Sequence, residues 1–345
     1  MKRFFFRQAL PAVVFLGLWP NAHLLAQVAT TGTGQAPPAD AKPVAPPDAR
    51  PAEDQRPAAA KPEELVLETS DGVKLHAWHY PATVEEGRRP TATVILLHDF
   101  AGSHRSVESL AEALQAAGCD VVAPDLRGHG ASVEKAGEDV DQRLLKKIDF
   151  ELMAATRGGQ IRDQSAIRGD VEAVRNWIKR RAEAGTLDMD RLVVVGSGCG
   201  AAVAAAWTAE DANWPPSTQG AQGRQVRGLV LISPAWTTRG FSIGTPLAHE
   251  AIRTKVPVLV IGGRDDSDAR KVFEQIKRQR PAAWYRQFAD GRKDPENIED
   301  PAKLTAFFVE IDSTRSADAL ASDATLNAGR FIANFLGRVL ARPQR

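Results

Sequence analysis

The chain has 345 residues, of which 43% are hydrophobic and 25% charged, ordinary values for a folded domain that exclude a wholly disordered or collagen-like chain. Its 44 Lys and Arg nearly balance 43 Asp and Glu, so there is no chain-wide field for nucleic acid or another polyanion. Two cysteines, Cys119 and Cys199, are too few for a disulfide scaffold and lack metal-ligand spacing; no metal or cofactor is expected, and a hydrophobic core must hold the fold.

Residues 1–29 open with Lys2, Arg3 and Arg7, continue through an apolar run at 9–19 and reach the small residues Ala26 and Ala29. That is the anatomy of a secretory signal peptide. The competing reading is an uncleaved anchor helix, but the run falls short of the roughly 20 apolar residues that span a bilayer and is interrupted by Pro11 and Pro20. Export to the periplasm or beyond is expected, with no integral span left after cleavage. No cysteine follows the run, which excludes a lipoprotein anchor. Residues 30–62 hold eight of the 22 prolines and no aromatic side chain. Such a segment buries too little apolar area to offset its ordering entropy, so a disordered tether is expected.

From residue 63 to 345 strand and helix patterns alternate. Residues 66–69 and 74–79, joined through Asp71-Gly72, read as an antiparallel hairpin. Residues 93–97 are continuously apolar, as in a strand buried on both faces. A helix follows from Ser106, with Val107, Leu110, Ala111 and Leu114 on one stripe and Gly118 ending it. Next come a strand at 121–123, a polar excursion to about Ala166, and an amphipathic helix carrying Val171, Val174, Trp177 and Ile178. Residues 191–195 form another buried strand whose glycine-rich exit leads into an alanine-rich helix at 201–207. Strand patterns recur at 228–232 and 256–261, and a closing amphipathic helix covers 327–340. The fold class is α/β: a mostly parallel, doubly wound sheet with helices on both faces.

Two phrases then carry a resemblance. Leu97-His98-Asp99-Phe100-Ala101-Gly102-Ser103 and Asp125-Leu126-Arg127-Gly128-His129-Gly130-Ala131-Ser132 occur in that order, followed by a glycine-rich turn after a buried strand. The domain at 63–345 thereby resembles the α/β-hydrolase superfamily. The resemblance implies hydrolysis of an ester, amide or related bond, an oxyanion-hole amide from Phe100 and a second from Cys199. Fold by itself does not license that function.

The superfamily's nucleophile elbow, G-x-S-x-G, places a serine on a sharp strand-to-helix turn. The corresponding frame is Gly196-Ser197-Gly198-Cys199-Gly200, so the nucleophile position is Gly198. Glycine has no atom to attack a carbonyl, yet it enters this backbone region freely, where serine stores about 1–3 kcal/mol. Two candidate nucleophiles stand beside it: Cys199 in a frame shifted by one, and Ser197, flanked by Val195 and Cys199 where the close crossing wants glycine. Cys199 also reads as a small buried residue. The acid position falls on Asp266, in Gly262-Gly263-Arg264-Asp265-Asp266; Asp265 and Asp266 read equally well as a solvated turn and helix N-cap.

The base is missing. The superfamily's histidine follows the last strand, but none of the seven histidines lies beyond His249. If residues 285–289 are the last strand, the base position is near Arg292; if 304–311 are, it is near Ser316. Neither side chain serves as a base at neutral pH. His98 and His129 lie at the catalytic edge in positions that read as structural. Three functional classes follow: a pseudoenzyme binding a small carbonyl or carboxylate ligand or a protein partner, a hydrolase using Cys199, and a structural module on a tether.

Overall fold

The computed structural model describes residues 59–85, 87–155, 169–214 and 223–341. The expected leader at 1–29, nearly all of the expected tether at 30–62 and part of the excursion toward Ala166 lie outside the described residues. Just before the first strand, Gln115 donates an amide hydrogen bond to the carbonyl of Ala60, pinning the start of the domain.

Two strands open the fold: β1 (Glu63–Glu68) and β2 (Val73–Tyr80), antiparallel as the Asp71-Gly72 turn requires, with Glu68 opposite Lys74. Alternation along β1 leaves Leu65 and Leu67 buried and Val66 exposed. The chain continues through β3 (Ala92–Leu97), α1 (Glu108–Ala116), β4 (Cys119–Pro124), the two-residue strands β5 (Glu134–Lys135) and β6 (Glu138–Asp139), α2 (Lys147–Met153) and α3 (Asp170–Glu183). Then follow β7 (Leu192–Ser197), α4 (Cys199–Ala212), β8 (Gly228–Ile232), the short hairpin of β9 (Thr237–Thr238) and β10 (Phe241–Ser242), α5 (Gly244–Leu247), β11 (Val258–Gly263) and α6 (Ser267–Gln279). The closing elements are β12 (Trp284–Gln287), β13 (Ala306–Ile311), α7 (Ala317–Ala321) and α8 (Ala328–Val339).

The main sheet runs β12-β13-β11-β8-β7-β3-β4-β2, with β1 at the outer edge of β2 and β5-β6 continuing beyond it. Every pair from β12 to β4 is parallel, and the antiparallel pairs begin where β2 meets β4 and continue through β1, β5 and β6. Parallel strands covered on both faces are mostly apolar, and β3, β4, β7, β11 and β13 are buried at every position, the exceptions to apolar character being Thr93, Asp120, Ser197 and Glu310. The two-residue period of a strand divides these side chains between two layers. Ile95, Val194, Leu231 and Val260 pack with α3, α4 and α6 on one face. Val94, Val195, Val230 and Ile261 pack with α1 and α8 on the other.

Two sequence expectations change. The strand expected at 121–123 begins at Cys119, because Ala92 of β3 pairs with it, so that cysteine is a buried strand residue and not a loop residue before the strand. The two alternatives for the last strand both form. β13 inserts between β11 and β12, so Arg292 emerges from the outermost strand whereas Ser316 follows the strand that adjoins β11.

The loop after β4 is held by a buried charge network. Arg127 donates to Asp170 from Nε and Nη2 at 2.9 and 2.7 Å and to Asp71 Oδ2 from Nη1 at 2.8 Å. The Asp125 carboxylate accepts from the backbone N–H groups of His104 and Ala131 at 2.6 and 2.8 Å. His129, 1% exposed, donates from Nδ1 to the carbonyl of Arg127 at 2.9 Å, while its Nε2 has no partner.

Burial, with the neighbouring His98 adding to it, lowers the pKa of His129 from 6.5 to about 4. The unfolded chain therefore binds a proton below pH 6.5 that the folded chain refuses until about pH 4, so stability falls as the pH drops through that window. Replacing His129 with Asn keeps the donor to Arg127 and removes the titration. The stability difference between wild type and His129→Asn, read from denaturant unfolding at pH 7 and pH 4, is expected to shift by on the order of 2–3 kcal/mol against the wild type.

Candidate active site

The C-terminal ends of β3, β7, β8, β11 and β13 lie side by side, and the loops leaving them enclose a cleft of about 400 Å³ lined by Asp99, Gly198, Ser233, Asp266 and Ser316 among others. Crevices at the carboxyl ends of parallel strands are where such sheets bind their ligands.

The elbow is formed as its glycines dictate. Gly198 caps α4 with φ +54° and ψ −117°. A Cβ on Gly196 would stand 2.3 Å from the carbonyl oxygen of Gly200, and one on Gly200 would stand 2.3 Å from the carbonyl oxygen of His98. The helix and the two strands approach too closely for side chains at either position. The alanine-rich face of α4, with Ala201, Ala202, Ala204 and Ala205 buried, extends that contact.

At Gly198 the obstruction is of another kind. A Cβ there would lie 2.0 Å from Oδ1 of Asp99. The Asp99 carboxylate thus occupies the space beside the elbow and accepts the backbone N–H of Cys199 at 2.7 Å. Burial raises the Asp99 pKa above its ordinary value, the N–H groups of Cys199 and Phe100 oppose that rise, and Asp318 adds to it. The two amides expected to receive a ligand's carbonyl or carboxylate thus face the Asp99 carboxyl group.

A second aspartate secures the first. Asp318, on α7, accepts the backbone N–H of Asp99 at 2.9 and 3.1 Å and the Ser106 hydroxyl at 2.5 Å. The loop that follows β13 is in this way tied to the loop that follows β3. Neither Asp99 nor Asp318 was singled out as a site residue from sequence. The available signal was the acid beside His98 in a loop that supplies an oxyanion amide; nothing local marks Asp318, which is 219 residues away from its partner.

Of the expected site residues, Gly198, Asp266 and Ser316 line the same cleft, whereas Arg292 does not and pairs instead with Asp290 at 2.5 Å. Asp266 caps α6, Oδ1 accepting from the Ala269 N–H at 2.8 Å, and its buried Oδ2 has no partner. Asp266 is thus an N-cap residue that stands at the cleft. Ser197 is fully buried and its hydroxyl has no partner, so no base is near it. The Cys199 side chain is 1% exposed and does not line the cleft. Its thiol pKa is pushed well above the ordinary value by burial and then by the charge of Asp99, which opposes the thiolate that nucleophilic attack requires.

No histidine lines the cleft among the described residues. His98 donates from Nδ1 to the carbonyl of Asp99 at 2.7 Å and accepts the Leu126 N–H at Nε2 at 3.0 Å, so both ring nitrogens are spent on the backbone. His104 is held by Asp125, His79 by Asp120, His76 by Glu64 and His249 by Asn213. Beside the cleft, Phe100 packs edge-on to His129 and against Phe150 of α2, while Arg239 lies over its ring. The described part of the excursion packs on the domain through Leu145, Phe150 and Met153.

Strand order, elbow and crevice together define an α/β-hydrolase fold. Residues 88–283, more than half of the chain, match the model of the family described as Serine aminopeptidase, S33, and the chain belongs to that family. No curated protein matches the sequence at a significant level. Among solved structures, a soluble variant of monoglyceride lipase from Saccharomyces cerevisiae is similar in fold at TM-score 0.52 and 13% identity, over 81% of this chain and 97% of that one. An esterase of Pyrococcus furiosus is similar at TM-score 0.50 and 17% identity, over 81% of this chain and 90% of that one.

The two cysteines are buried and unbridged. In native buffer at pH 7 neither is expected to react with iodoacetamide within minutes, and both are expected to be alkylated after denaturation without reductant, as counted by intact mass. Rapid native labelling at Cys199 would show the thiol to be accessible and reactive.

Proposed function

We propose that the chain is an exported, catalytically inert member of its family whose cleft binds a ligand and turns nothing over. The observation that carries this reading is the Asp99 carboxylate, held by the Cys199 N–H and filling the space that a side chain at position 198 would need. A hydrolase requires that space for its nucleophile and those amides for the negative charge that develops on the carbonyl oxygen. Here the Asp99 carboxyl group takes both. The absence of an imidazole at Ser316 agrees, because triad members act as a unit and the remaining acid adds little once its partners are gone. Export rests on the leader at 1–29, with the tether at 30–62 giving the domain reach. Hydrolysis by Cys199 has no support from its burial or its raised pKa.

The full chain is expected to resist labelling by a fluorophosphonate and to show no saturable hydrolysis of p-nitrophenyl acetate. Gly198→Ser alone is expected to remain inactive, since its Cβ meets Asp99 and its hydroxyl has no base. Combining it with Asp99→Gly and Ser316→His frees the hole and supplies an imidazole. That triple variant is expected to hydrolyse the ester at least about 100-fold faster than Gly198→Ser, the lower range for general-base assistance, whereas histidine at Arg292 is expected to give no gain. Saturable turnover by the unmodified chain that disappears in Cys199→Ala would replace this reading with the cysteine hydrolase.

A further inference from the structure

Four of the residues lining the cleft are aspartates, Asp99, Asp265, Asp266 and Asp268, and the single basic lining residue, Arg315, turns its guanidinium to Asp323 at 2.9 Å. Asp99 is engaged with Cys199, and Asp268 accepts the Trp236 N–H at 2.9 Å. Acidity alone does not make a site, but two unsatisfied acceptors lie in the same wall. Ser233, at the end of β8, is 6% exposed, lines the cleft, and its Oγ has no hydrogen-bond partner. Asp266 Oδ2 is likewise buried and unpartnered. Buried polar atoms in folded proteins are overwhelmingly paired, so two exceptions on residues that line one cleft call for a donor from outside. Ser233 is also held at φ +40°, a left-handed backbone that a non-glycine residue rarely adopts and that concentrates at ligand sites.

The donor's chemistry follows from what surrounds these atoms. An anion is repelled by the aspartates and finds the elbow amides engaged. A metal ion needs convergent ligands, and no group of three or more His, Cys, Asp or Glu among the described residues is placed to hold one. A primary ammonium carries three N–H donors and one positive charge, which match a carboxylate oxygen and a hydroxyl oxygen in one wall.

We propose that the cleft receives the primary ammonium group of an amine ligand, with Asp266 Oδ2 and Ser233 Oγ as its acceptors. This rests on the reading of the site as a binding site without turnover. It assigns the Asp266 carboxylate, which has no imidazole to orient, to ligand recognition, with Ser233 as its partner.

The test is titration of the ¹⁵N-labelled full chain with n-hexylammonium, n-hexanol and n-hexanoate at matched ionic strength, following the amide signals of Gly198, Ser233, Gly263 and Ala317. The ammonium is expected to shift these signals saturably, and the alcohol and carboxylate to leave them in place. Asp266→Asn retains the helix cap to Ala269 and removes the charge; it is expected to raise the Kd about tenfold or more, as is Ser233→Ala by a smaller factor, in keeping with a hydrogen bond to a charged group. Equal shifts from hexanol or hexanoate, no shifts from the ammonium, or an unchanged Kd in Asp266→Asn would overturn the assignment. Ester turnover, by contrast, is what overturns the inert reading, so the two failures are told apart.

Discussion

A single carboxylate governs the carboxyl edge of the sheet. Asp99 leaves β3, turns its side chain to the first N–H of α4, and lies where the positive end of that helix favours negative charge. Its own backbone N–H is given to Asp318, so one residue joins the loops that follow β3, β7 and β13. The arrangement needs glycine at position 198, because any Cβ there would overlap the carboxylate. The two residues are therefore mutually dependent: the glycine leaves the space, and the aspartate uses it.

Around that contact the fold retains the devices of its family. Gly196 and Gly200 let α4 press against β7 and the end of β3, and the buried Arg127, Asp170 and Asp71 network fixes the loop after β4. These features position a crevice whether or not chemistry occurs in it. What differs is the electrostatic character of the crevice. A hydrolytic site concentrates donors toward a developing oxyanion; here the Cys199 N–H is given to the Asp99 carboxyl group, and Ser233 Oγ and Asp266 Oδ2 are acceptors without a partner. Membership in the family thus accounts for the shape of the site and leaves its charge to be explained by these particular residues.

The distribution of histidines has the same logic. His98 and His129 stand at the catalytic edge, but each uses its ring to satisfy backbone groups in buried loops. An imidazole engaged in this way cannot swing into the cleft without leaving a buried N–H or carbonyl unpaired, which costs about 1–3 kcal/mol. Ser316, at the end of the last loop, and Asp318, in the first turn of α7, stand where an imidazole would have to enter, and the latter is committed to the Asp99 backbone.

Much of this was legible in the sequence, because it depends on local pattern. Continuous apolar runs identify β3, β7, β8 and β11 as inner parallel strands, Asp71-Gly72 gives the opening hairpin, and the spacing of Gly196, Gly198 and Gly200 marks the elbow with a glycine at its centre. The lack of any histidine after His249 is a count. The order of β12 and β13 was not legible, because pairing between strands depends on register and crossover across the whole sheet, and both segments have strand character. Nor was the role of Asp99, whose meaning comes from an N–H 100 residues away, or of Asp318 at 219 residues. Sequence determines which groups exist and which backbone turns are affordable; only the tertiary structure decides that a carboxylate, a glycine and a helix end converge, since that convergence is set by the packing of five parallel strands and not by any short stretch of chain.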